Sequence, residues 1–118
     1  AEVWILYGDG TAAYSLAEFD TFVRHRLPVI AIVGNDACWT QIARDQMEIF
    51  DDDVGLTLRH TDYHVVAEGY GGRGLYVDRL DAVDAALAEA QAIARGGTPV
   101  LVNCKIGKSA FRKGSISM

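Results

Sequence analysis

An acid set between two glycines, Gly8-Asp9-Gly10, closes the first apolar run of the chain and is followed at once by Thr11. About two dozen residues later a second apolar run, Val29–Val33, closes in Gly34-Asn35-Asp36-Ala37-Cys38. Glycine lets a backbone turn sharply and lets a ligand come close to it. Gly8 and Gly10 would therefore expose main chain while Asp9 offers a hard oxygen. A helix opening at Thr11 would add free N–H groups and the positive end of its dipole, which suit phosphate. A carboxylate beside a phosphate repels it, unless a divalent cation lies between them. Mg²⁺ takes oxygen ligands and combines one or two carboxylates with phosphate oxygens and water. These residue types point to a metal-bridged diphosphate.

The acids meet only if the strands that carry them are neighbours, because ligands in open α/β sheets bind beyond the carboxyl ends of the strands. The pattern predicts such a sheet. Val3–Tyr7 is a continuous apolar run bounded by Gly8, expected to be a strand buried on both faces. Thr11–Arg26 carries Leu16, Phe19, Phe22 and Val23 at helical spacing and is stopped by Pro28. Val29–Val33 is a second buried strand, and Trp39–Phe50 a short helix broken by Asp51-Asp52-Asp53. Asp62–Tyr70 reads as a helix capped by Thr61 or Asp62. Gly74–Val77 is a short strand, Leu80–Arg95 an Ala-rich helix closed by Gly96-Gly97, and Pro99–Asn103 the last strand. Residues 107–118 lack periodicity and are expected to form an irregular C-terminal tail. The expected fold class is α/β, a parallel sheet with helices on both faces, in one domain over residues 1–118.

Composition narrows the function classes. The chain has 118 residues, half of them hydrophobic, with net charge −5. Its basic residues are scattered, which argues against nucleic acid as a partner. No apolar run approaches the roughly 18 residues of a membrane span. No basic region precedes an apolar stretch at the start, so no signal peptide is expected. Cys38 and Cys104 do not form a Cys-x-x-Cys pair and read as reduced thiols, which suggests a cytoplasmic protein. The chain opens directly on a strand, as a fragment or excised domain would.

Four further patterns carry less. His60 and His64 stand at i, i+4, but the sequence places no third ligand, so a helix cap with surface histidines is preferred to zinc. Asp51-Asp52-Asp53 reads as a solvated loop. The glycines of Gly69–Gly74 follow a helix rather than a strand, so they suit a C-cap and turn rather than a dinucleotide fingerprint. Gly107-Lys108-Ser109 ends like a P-loop, but position 102 is Val where that motif needs Gly. Trp39 suits either the wall of a cofactor cavity or an interface.

Gly-Asp-Gly followed at this spacing by Asn35-Asp36 resembles the thiamine diphosphate (ThDP) motif, whose second element is Asn-Asn or a close variant. The stretch from Gly8 to Gln46, with AEFDTFVRHRLPVI at its centre, is similar to the C-terminal cofactor domain of acetolactate-synthase-like carboligases. It is most similar to the branch with benzaldehyde lyase and 2-hydroxyacyl-CoA lyases, and the ending FRKGSISM resembles the end of that branch. The resemblance spans essentially the whole chain. It implies a ThDP-binding, Rossmann-like three-layer fold with ThDP and Mg²⁺ as cofactors. Asp9, Asp36 and the backbone carbonyl of Cys38 would be the metal ligands. A one-residue shift would put Asn35 in place of Asp36, and the sequence leaves both open. Gly8, Gly10, Thr11 and Asn35 would be cofactor-binding, with the Gly10 and Thr11 backbone against the diphosphate.

The resemblance further implies a C–C lyase, transferase or carboligase acting on 2-keto acids or 2-hydroxyacyl compounds. The activating glutamate belongs to a separate pyrimidine-binding domain, usually on a neighbouring subunit of a homo-oligomer. No catalytic residue is therefore expected in these 118 residues, and the chain alone is not expected to be active. The rival readings are a non-catalytic α/β interaction module, receiver-like with acids at strand ends, and an inactive fragment. Against the receiver reading, the first acid is single and flanked by glycines.

Overall fold

The computed structural model describes residues 1–108. The tail expected over 107–118 lies outside them except for Gly107 and Lys108. The chain runs β1 (Val3–Gly8), α1 (Asp9–Ser15), α2 (Glu18–Arg24), β2 (Val29–Asn35), α3 (Thr40–Phe50), α4 (Tyr63–Gly69), β3 (Arg73–Val77), a single 3₁₀ turn (Leu80–Ala82), α5 (Val83–Arg95) and β4 (Val100–Lys105). The sheet has four strands in the order β1-β2-β4-β3. Every pair is parallel.

That order explains the layers. From β1 to β2 to β3 the chain advances across the sheet, and α1, α2 and α4 lie on one face. From β3 to β4 it steps back, and α5 lies on the other. Right-handed crossovers demand this segregation. One core joins Ala12, Phe19, Ala31, Val33, Tyr63, Ala67 and Leu101. The other joins Ile30, Val77, Ala90, Ala94, Val100 and Val102. β2 and β4 supply both, so their side chains are buried in alternation on the two faces, as apolar runs of central parallel strands should be. The alanines of α5 are strong helix formers, and Ala90 and Ala94 present small buried surfaces to the sheet. Gly97, at φ 91°, takes the left-handed turn after that helix.

Three expectations need correction. First, β1 is not buried on both faces. It is an edge strand paired only with β2 among the described residues, and α5 does not reach over it, so Leu6 is 79% exposed. Second, the helix expected over Thr11–Arg26 begins at Asp9 and divides into α1 and α2. Leu16 and Ala17 bridge the two by tight turns, Phe19 N–H to Leu16 C=O and Asp20 N–H to Ala17 C=O, so the apolar spacing survives the break. Third, Asp62 stands at the N-cap of α4 but makes no side-chain cap bond.

β3 and α4 approach unusually closely at Gly74. A Cβ there would lie 2.3 Å from the His64 carbonyl oxygen, a backbone atom that cannot swing aside. Gly74→Ala should therefore destabilise the protein by about 1–3 kcal/mol through overpacking. That corresponds to a drop in Tm of very roughly 4–8 °C per kcal/mol, read by thermal circular dichroism.

Candidate functional site

β1 and β2 pair in register from Val3 with Val29 to Gly8 with Gly34, so both strands end level. The loops that follow lie side by side. Gly8, Asp9, Gly10, Thr11, Asp36 and Cys38 line one cleft of about 440 Å³, with Gly34, Trp39, Thr40, Gln41, Ile42 and Ile106. Every sequence-derived site residue but one is thus brought to the same place. The exception is Asn35, which is buried behind the cleft and does not line it.

Asp9 is 2% exposed. Its Oδ1 accepts the Gly10 N–H at 2.9 Å, while its Oδ2 is buried with no hydrogen-bond partner. Burial pushes the Asp9 carboxyl above the ordinary Asp range, and the charge of Asp36 adds to the rise. The backbone N–H groups of Gly10, Cys38 and Ala37 pull the other way. Behind Asp9, its own carbonyl accepts the Tyr63 hydroxyl at 3.2 Å. Asp36 is half-buried and accepts a hydrogen bond from the Thr40 hydroxyl. Between Asp36 and Cys38 the chain passes through Ala37 at φ 56°, a left-handed conformation costly for a residue with a Cβ. The detour is held from outside. Leu58 N–H reaches the Ala37 carbonyl at 2.8 Å, and Trp39 N–H reaches the Leu56 carbonyl at 2.9 Å.

The glycines work differently from the expectation. Neither Gly8 nor Gly10 has a positive φ, so the strand-to-helix turn does not need them for their backbone freedom. Gly10 is required by Trp39, whose ring would lie 2.6 Å from a Cβ at that position. Around a Cβ at Gly8 nothing lies within 4 Å, so that side of the loop is open to a ligand. Trp39 lines the cleft and packs against Tyr14, ring centroids 5.5 Å apart.

Thr40, Tyr63, Asn103 and Ile106 were not singled out in the sequence. Asn103, a polar residue ending the apolar run PVLV, was the one visible signal. His64 is not a surface histidine but half-buried, with Nδ1 3.2 Å from Asn103 Nδ2. Among the described residues no three His, Cys, Asp or Glu side chains gather into a metal-binding group. Asp51–Asp53 are exposed, as a solvated loop should be. Cys38 and Cys104 are both free thiols. Among the described residues no helix is long and apolar enough to cross a membrane.

A buried carboxylate with a spare oxygen, a second carboxylate one strand away and an open glycine loop could together hold a divalent cation and a diphosphate. Residues 1–104 match the family described as "Thiamine pyrophosphate enzyme, C-terminal TPP binding domain", and the chain belongs to that family. Membership sets the receiver-like alternative aside. 2-Hydroxyacyl-CoA lyase 2 of Homo sapiens is 53% identical over all of this chain, which spans 19% of that protein. The Danio rerio protein of the same name is 52% identical over the same shares. Acetolactate synthase large subunit IlvG of Mycobacterium tuberculosis is 33% identical over 86% of the chain and 18% of its own length. The chain thus spans about a fifth of the relatives it matches. Among solved structures, benzoylformate decarboxylase of Polynucleobacter necessarius superposes with a TM-score of 0.82 at 26% identity, over 92% of this chain and 20% of that one. The fold is the ThDP-binding α/β fold.

Two outcomes follow from the site geometry. Gly10→Ala should displace the Trp39 ring, shifting tryptophan emission in a Trp4→Phe background. Its stability cost should shrink when Trp39 is also replaced by Ala, as a double-mutant cycle measures. Asp9 gives a pH dependence. A carboxyl whose folded pKa is raised favours folding when protonated. That contribution is full below the ordinary Asp range and is lost as the pH rises through the folded value. In chelator, wild type should therefore lose stability relative to Asp9→Asn as the pH rises out of the acid range. Urea titrations at stepped pH measure the difference, and a constant difference would count against a buried ionisable Asp9.

Proposed function

We propose that this chain is the diphosphate- and Mg²⁺-holding domain of a ThDP-dependent C–C lyase or carboligase. The observation that carries the reading is the Asp9 carboxylate, buried with Oδ2 unpartnered and raised in pKa by its surroundings and by Asp36. A buried carboxylate with one oxygen unpartnered beside a second acid is costly, and a cation would relieve both the desolvation and the repulsion. Mg²⁺ fits this donor set of hard oxygens, with places left for phosphate and water. Asp9, Asp36 and the Cys38 carbonyl would hold the metal. Asp36 is preferred to Asn35 because Asp36 lines the cleft, whereas Asn35 is buried behind it with its amide nitrogen bonded to Thr61 and Asn103. Gly8, Gly10 and Thr11 would pass the diphosphate along the open side of the loop. When bound, ThDP would supply an electron sink for the pair left on the substrate's carbonyl carbon, and the protein would supply position and electrostatics.

Identity of 52–53% to proteins named 2-hydroxyacyl-CoA lyase 2, against 33% to an acetolactate synthase, favours 2-hydroxyacyl compounds as substrates. The activating glutamate would come from a pyrimidine-binding domain, contributed by a neighbouring subunit of a homo-oligomer. Exposed apolar side chains support burial against such partners, including Ile49 and Phe50 on α3 and Leu6 on β1. Residues 1–118 act in this reading as one cofactor-binding domain. The two unpaired thiols suit a reducing, cytoplasmic setting.

Calorimetric titration of ThDP tests the reading. Binding should appear with Mg²⁺, vanish with chelator and vanish in Asp9→Ala. ThDP binding that ignores both chelator and the substitution would overturn the metal-bridged site.

A further inference from the structure

The two carboxylates of the cleft are braced from behind by a buried polar knot that the cleft does not contain. Asn103 lies on β4 opposite Val33 of β2 and is 1% exposed. Its Oδ1 accepts a hydrogen bond from Asn35 Nδ2 at 3.2 Å. Its Nδ2 donates to the Thr61 carbonyl at 3.1 Å and sits 3.2 Å from His64 Nδ1. Asn35 Nδ2 donates to the same Thr61 carbonyl at 3.0 Å. One carbonyl thus takes two side-chain amides from two strands, and β2, β4 and the entry to α4 are tied at a single point.

The knot touches the chain just behind each acid. Asn35 is bonded directly to Asp36. Thr61 stands two residues before Tyr63, whose hydroxyl holds the Asp9 carbonyl. The arrangement is a poor way to obtain stability alone. Neighbouring inward positions on these strands are Val33 and Leu101, which pack without polar atoms. The Asn35 Oδ1 is left buried with no partner, which costs stability. What the knot provides is direction. It fixes the end of β2 and the start of α4 against the mutual repulsion of the Asp9 and Asp36 carboxylates.

We propose that Asn103 is a positioning residue, which through Asn35 and Thr61 holds Asp36 and Asp9 in the arrangement a bridging divalent cation needs. The inference rests on the metal-bridged diphosphate reading and adds to it a residue remote in sequence from both loops. Removing a group that orients a metal's ligands typically weakens metal binding about 10–100-fold.

The test is Mg²⁺ affinity by calorimetry at saturating ThDP, in the natural full-length protein, with Tm measured alongside. Asn103→Leu removes the amide at similar volume. Leu101→Val, on the same strand and in the same core but outside the knot, serves as the control for simple loss of stability. The expected result is a 10–100-fold weaker Mg²⁺ affinity in Asn103→Leu and a change of no more than about twofold in Leu101→Val. Asn103→Ser decides in the same way if Asn103→Leu does not fold, and Asn103→Gln should recover part of the affinity. Unchanged affinity in the Asn103 variant overturns the proposal, as does an equal loss in Leu101→Val. Wild-type protein that binds no Mg²⁺ with ThDP would overturn the diphosphate reading itself, and this inference with it.

Discussion

In the β1–β2 ladder Gly8 stands opposite Gly34, and both strands then release their chains at the same height and in the same direction. Parallel pairing has this property in general, and here it does the work of building a site from two segments far apart in sequence. Shift the register by one residue and the side chains of a strand change faces. Asp9 would no longer share an environment with Asp36, and the β2 residues that fill two cores would be misplaced. The register is held where it is by Ile30, Ala31 and Val33, all fully buried. Core packing and site geometry are therefore one constraint, stated at opposite ends of β2.

The cost of the site is carried close by. Asp9 is buried with an oxygen unspent, Ala37 is held left-handed, and the Asn35 side-chain Oδ1 is unpaired. Each is unfavourable in the folded chain, and all lie within one loop's reach of the cleft. Clustering of this kind is expected where geometry has been shaped toward a ligand rather than toward stability. The rest of the sheet shows the opposite character. Val100, Leu101 and Val102 are fully buried without a polar atom in their side chains.

Much of this was legible in the sequence for a physical reason. VIAIV and PVLVN are short, apolar and bounded by turn residues, and central parallel strands must look like that. Acids placed at the ends of such strands announce themselves. β1 misled because an apolar run records only that a strand is buried somewhere, not what buries it, and Leu6 is open on this chain. Thr11–Arg26 kept its helical spacing across a break that backbone turns, not side chains, create. The role of Gly10 could not be read, because the Trp39 ring that requires it arrives from another loop. The Asn35–Asn103 bond joins residues 68 apart, and nothing local to either amide reveals its partner.

Among the described residues β1 is paired on one side only, and that open edge carries a consequence of its own. A terminal strand leaves a row of backbone N–H and C=O groups facing outward, and VWILY adds β-branched and aromatic side chains with no charge among them. Such an edge is a template for any extended peptide, including the same strand of another molecule. A chain with this edge uncovered is prone to aggregate, so any segment laid along β1 would protect the fold as well as complete the sheet. Covering that edge early would then raise the yield of folded protein by removing the template before a second molecule meets it.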